Sequence, residues 1–117
     1  MGRLTTHVLD TARGQPAAGL AIELARHDGR DYRALCAVVT NADGRCDAPL
    51  LEGPALVAGR YRLSFAAGDY FAAQGLALPD PPFVDRVTVD FGIADARAHY
   101  HVPLLVSPWS YSTYRGS

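Results

Sequence analysis

Apolar and polar residues alternate along much of this chain in short runs, and turn-forming residues close each run. Turn signals recur at Arg13-Gly14-Gln15-Pro16, His27-Asp28-Gly29, Asn41-Ala42-Asp43-Gly44, Glu52-Gly53-Pro54, Pro79-Asp80-Pro81-Pro82 and Ser107-Pro108. A two-residue period bounded by Gly, Pro, Asn and Asp marks strands, because successive side chains of an extended chain point to opposite faces. The pattern predicts strands over Leu4–Asp10, Leu20–Arg26, Tyr32–Thr40, Gly59–Ala66, Arg86–Gly92, His99–Val106 and Ser110–Arg115, with an eighth candidate over Cys46–Leu50. Strands at this spacing fit an antiparallel β-sandwich better than alternating βαβ units. One short helix is expected over Asp69–Gln74, capped by Asp69 and ended by Gly75.

The same alternation sorts side chains. On the first strand His7 shares a face with Thr5 and Leu9, leaving Leu4, Thr6 and Val8 on the other. On the penultimate strand Tyr100, Val102, Leu104 and Val106 form the better core candidate, opposite His99, His101, Pro103 and Leu105. On the last strand Ser110, Ser112 and Tyr114 fall together, with Tyr111 and Thr113 opposite. Polar groups therefore collect on one side of the terminal strands.

With 117 residues, 49% of them hydrophobic and 20% charged, the chain suits one globular domain spanning 1–117, all-β in class. A domain of this size has little room for an internal cavity, so a sizeable pocket is expected between subunits. Eleven basic against twelve acidic residues leave no electrostatic footprint for nucleic acid or anionic lipid. All eleven basic residues are arginine, which excludes lysine Schiff-base chemistry. Cys36 and Cys46 form no Cys-x-x-Cys motif, and reduced thiols in a cytoplasmic protein are expected. The first residues contain no apolar stretch of signal-peptide type, and no run approaches membrane-spanning length.

Three constellations could carry chemistry. His99-Tyr100-His101 places two imidazoles on one strand face, and His7 would complete a three-nitrogen zinc set, but no carboxylate or cysteine motif accompanies them. No metal and no cofactor is expected, since a neutral imidazole serves directly as general base near pH 7. Arg45 follows the Asp43-Gly44 turn, where it is either a solvated loop residue or a fork for paired oxygens. The tail Tyr111-Ser112-Thr113-Tyr114-Arg115-Gly116-Ser117 carries strand-forming aromatics almost to its end, so it is expected to be pinned rather than frayed.

Leu4-Thr5-Thr6-His7-Val8-Leu9-Asp10 with Gly14, Pro16 and Ala17, the closing run His99 to Pro108, and Tyr114-Arg115-Gly116-Ser117 together resemble the transthyretin-like family, and within it the 5-hydroxyisourate hydrolases, nearly end to end. Trp109 departs from the smaller aromatic usual there. The resemblance implies an eight-stranded, prealbumin-like sandwich with a short helix, assembled as a homotetramer, a dimer of dimers, with sites in the channel between dimers. It implies hydrolytic opening of 5-hydroxyisourate to 2-oxo-4-hydroxy-4-carboxy-5-ureidoimidazoline in urate breakdown. His7, Arg45, His101 and Tyr114 match the family's catalytic positions, with Ser112, Arg115, Gly116 and Ser117 as further substrate-binding candidates.

On that basis His7 and His101 hold and deprotonate water, Arg45 stabilises charge on the attacked carbonyl, and Tyr114 with the tail closes over the ring. His99 is expected in a supporting or solvent-facing position. The competing expectation is a non-catalytic transthyretin-like carrier of a small aromatic ligand; the carrier itself resembles a lysine, glutamate and threonine set at these positions. A zinc hydrolase using His7, His99 and His101 is a third.

Overall fold

In the computed structural model, which describes residues 1–116, the chain crosses repeatedly between two facing sheets. The strands are β1 (Arg3–Asp10), β2 (Gln15–Pro16), β3 (Ala21–His27), β4 (Tyr32–Val39), β5 (Leu51–Glu52), β6 (Gly59–Ala66), β7 (Arg86–Ile93), β8 (His99–Val106) and β9 (Tyr111–Thr113). Among the described residues one α-helix, α1, spans Ala67–Ala73. One sheet has the order β2-β1-β8-β9, with β5 also paired to β1; the other has the order β4-β3-β6-β7. This is an all-β sandwich of two sheets with one short helix, as expected.

The differences have local causes. Strands are not all antiparallel: β1 and β8 run parallel over their full length. A parallel pair cannot be closed by a hairpin, and here the second sheet supplies the long crossover. Cys46–Leu50 is not a strand. Pro49 has no N–H to give a ladder, and pairing to β1 resumes at Leu51–Glu52. The last strand ends at Thr113 rather than Arg115. Asp69 does not cap the helix, which starts two residues earlier at an Ala66 cap without a side-chain bond. The first-turn Gly68 N–H is instead taken by the Asp85 carbonyl at 2.8 Å. Gly75, at φ +81°, lies just beyond the helix as expected.

Alternation decides which faces meet. Leu4 and Val8 of β1 with Leu104 and Val106 of β8 are fully buried against Ile22, Leu24, Leu63 and Phe65 of the opposite sheet. Their partners Thr5, His7 and Leu9 on β1 stay half-exposed on the outer face. Phe71 on α1 is fully buried and closes one end of the core. A polar link joins that helix to β1: Asp10, fully buried, accepts from the Tyr70 hydroxyl at 2.9 Å and from the Arg13 N–H at 3.0 Å. Burial, reinforced by the bond to Asp10, pushes the Tyr70 hydroxyl up to about 12. Tyr70→Phe leaves one buried carboxylate oxygen unpaired and is expected to cost about 1–3 kcal/mol in denaturant unfolding.

Candidate active site

The outer faces of β1 and β8 bring the polar alternates together. The parallel register sets Thr5 beside His101 and His7 beside Pro103, so residues almost a hundred positions apart share one patch. The loop after β4 folds back over it. Val8 N–H donates to the Gly44 carbonyl at 2.8 Å, and His7 pairs with Arg45 in an isolated antiparallel bridge. Gly44 has φ +73°, and a Cβ there would lie 2.4 Å from the Val8 carbonyl oxygen. Only glycine permits this approach.

Asn41 shapes that loop. Its side-chain oxygen accepts from the N–H groups of Asp43 (2.9 Å) and Arg45 (3.2 Å), and its amide donates to Asp47 at 3.0 Å. The sequence marked Asn41 only as a turn residue; an Asx-type turn two residues ahead of Asp43-Gly44 is the signal that identifies it. The outcome is an open cleft of about 500 Å³ lined by Arg3, Thr5, Thr6, Arg45, Cys46, Asp47, Ala48, Pro49, His99 and His101. Arg3 and Asp47 were not singled out from sequence, because neither sits in a motif.

Each ring is held by one nitrogen. His7 Nε2 lies 2.8 Å from the Asp43 carbonyl. A carbonyl only accepts, so His7 donates to it from Nε2. His101 Nδ1 lies 2.8 Å from the Thr5 hydroxyl. Burial holds the His101 pKa below its ordinary value, and the Arg45 guanidinium and then the His7 imidazole push it the same way, with hydrogen bonding to Thr5 opposing them. His101 is therefore neutral at physiological pH and able to accept a proton. The neighbouring Cys46 thiol is pushed up by burial, then by Cys36 and Asp47, and stays protonated.

His99 is exposed and lines the cleft beside Arg3, its pairing partner on β1. Among the described residues no group of three His, Cys, Asp or Glu side chains is arranged to hold a metal ion.

The tail divides between two places. Gly116 N–H donates to the His101 carbonyl at 2.7 Å, and Gly116 rests on the imidazole so closely that a Cβ would come 2.7 Å from His101 Cδ2. The expectation that the tail is pinned is met at Gly116. Ser112 pairs with Leu105 further along β8. Tyr114, expected beside His101 on the face of Ser112, instead lines a separate apolar groove with Val89, Phe91, Tyr100 and Val102. Strand alternation stops at Thr113, so the face predicted for Tyr114 does not carry over. Arg115 is committed elsewhere too: its guanidinium covers the Tyr100 ring at 4.2 Å and donates to the His99 carbonyl at 3.2 Å. Ser117 lies outside the described residues.

Sandwich topology and this cleft define a class, and sequence comparison agrees: the HIUase/Transthyretin family matches residues 4–116. The chain belongs to that family. It is 66% identical, over the whole of both chains, to the 5-hydroxyisourate hydrolase of Ralstonia nicotianae. The solved 5-hydroxyisourate hydrolase of Klebsiella pneumoniae superposes with a TM-score of 0.83 at 40% identity, covering all of both chains. Transthyretin from Sparus aurata superposes with a TM-score of 0.86 at 28% identity, over 97% of this chain and 96% of its own.

Gly44→Ala is expected to cost about 1–3 kcal/mol from its left-handed φ alone. The Val8 contact adds to this, and both a lower denaturation midpoint and loss of the His7–Asp43 bond should follow.

Proposed function

We propose that this cleft hydrolyses 5-hydroxyisourate, the substrate class of the hydrolases that the chain matches at high identity over its full length. The observation that carries the reading is local: a neutral His101 shares an open cleft with Arg45, and a backbone bridge pairs Arg45 with His7 at its margin. A planar, carbonyl-rich lactam suits a guanidinium fork and two proton-accepting rings.

In the reaction, water enters between the imidazoles and gives a proton to one of them as its oxygen adds to the ring carbonyl. Arg45 stabilises the oxyanion that forms. The carbon–nitrogen bond then breaks, the departing nitrogen takes a proton from the imidazolium, and a carboxylate and a ureido group result. No step needs a metal or cofactor. Gly116 supports the His101 side of the site, and Ser112, Tyr114, Arg115 and Ser117 belong to the same reading as groups that approach substrate in the assembled protein.

The assembly proposed is a homotetramer of single-domain chains, with two dimers enclosing the clefts. Its support is that the sheets end at β7 and β9, on the side where Tyr114 lines a groove between them, and that Phe83, Trp109, Tyr111 and Tyr114 are exposed. Unpaired strand edges with apolar side chains favour a second copy. A cytoplasmic location is proposed with it, supported by two free, half-buried cysteines. No helix among the described residues is long and apolar enough to cross a membrane.

His7→Asn and His101→Asn should each lower turnover of freshly generated 5-hydroxyisourate by about 10²–10⁴-fold, with the elution volume of the oligomer unchanged. Near-normal turnover in both variants defeats the reading, and a wild-type protein that binds without accelerating decay is the carrier instead. The pH dependence has a fixed sign. With the His101 pKa depressed, the base is already neutral at pH 7, so kcat/KM should be flat there and fall only below the ordinary histidine value of about 6.5. An acid limb centred above that value contradicts the assignment.

A further inference from the structure

The two imidazoles are tied by opposite nitrogens, and the ties have different chemistry. At His7 the partner is a carbonyl, which fixes the proton on Nε2. At His101 the partner is the Thr5 hydroxyl, 2.8 Å from Nδ1, which can give or take a hydrogen bond. The parallel register places Thr5 directly beside His101. The hydroxyl oxygen can accept from a protonated Nδ1, the tautomer that leaves the Nε2 lone pair free for water. On the opposite side Gly116 packs against Cβ, Cγ and Cδ2 of the same ring, leaving it no room to swing away from Thr5.

Resting on the hydrolytic reading of the cleft, we propose that Thr5 is a positioning residue that holds His101 in the Nδ1–H tautomer and directs its Nε2 lone pair toward the attacking water. The two imidazoles are then tied through opposite nitrogens, His7 by Nε2 and His101 by Nδ1, each by a partner outside the reacting atoms. A wrong tautomer disables a general base even where ring geometry survives. Thr5 supplies the hydroxyl at little structural cost, since a β-branched side chain suits the strand.

The test compares steady-state ring opening by wild-type protein, Thr5→Val, Thr5→Ser and His101→Asn, with ¹⁵N-resolved imidazole spectra of the wild type. Thr5→Val keeps the shape and removes the hydroxyl; it should lower kcat by roughly 10- to 100-fold, less than loss of the base itself, with KM within about threefold. Thr5→Ser should recover kcat to within about threefold of wild type, since the hydroxyl is what matters. Wild-type spectra above the acid limb should show His101 protonated on Nδ1 alone. Wild-type kcat in Thr5→Val, an equal loss in Thr5→Ser, or a wild-type His101 protonated on Nε2 overturns the proposal. The spectra decide it even if Thr5→Val fails to fold. Full activity in His101→Asn is a separate outcome, which removes the hydrolytic assignment of His101 and this role of Thr5 with it.

Discussion

The parallel pairing of β1 with β8 is the constraint on which the site depends. Eight consecutive residue pairs, from Arg3↔His99 to Asp10↔Val106, fix the first strand of the chain against its penultimate one. Because side chains alternate with period two, a slip of β1 by one residue would turn Thr5 and His7 inward and expose Leu4 and Val8. Burial of those apolar residues therefore enforces the register, and the register places the imidazoles. The core and the chemistry share one determinant, which ties the fold's stability to the geometry of its outer face.

Upon that face the loop after β4 adds the guanidinium. Its path is set by small, local rules: a left-handed glycine at 44, a backbone bond to Val8, and an asparagine that satisfies three partners at once. Rigid backbone groups are what hold Arg45 and the Asp43 carbonyl in place, so His7 is oriented by main chain rather than by another titratable side chain. Such an arrangement keeps its geometry as pH changes. The electrostatics run in the same direction, because burial and neighbouring positive charge keep His101 unprotonated and ready to accept a proton.

Transthyretin from Sparus aurata shares this fold at 28% identity, and the Klebsiella pneumoniae 5-hydroxyisourate hydrolase shares it at 40%. A sandwich of this kind specifies a platform, and chemistry resides in the side chains that the outer face presents. In this chain that face presents acid–base groups and a forked cation around an open, polar cleft, which is a poor host for an apolar ligand and a good one for a polar lactam.

Much of this was legible in the alternation of residues. Strand positions, the core face of β8, the outward placement of His7 and His101, and the glycine that ends the helix all follow from local periodicity and turn chemistry, which depend on neighbours in sequence. The resemblance supplied Arg45, whose own residue type gave no reason to prefer it over ten other arginines. Tertiary structure decided the rest. It chose a parallel pairing for the outer strands, broke the predicted strand at Pro49, released Tyr114 from the face assigned to it, and brought Thr5, Asn41 and Gly116 to bear on the histidines. Each of these turns on which distant segment lies alongside, and periodicity along one strand contains no information about its neighbour across the sheet.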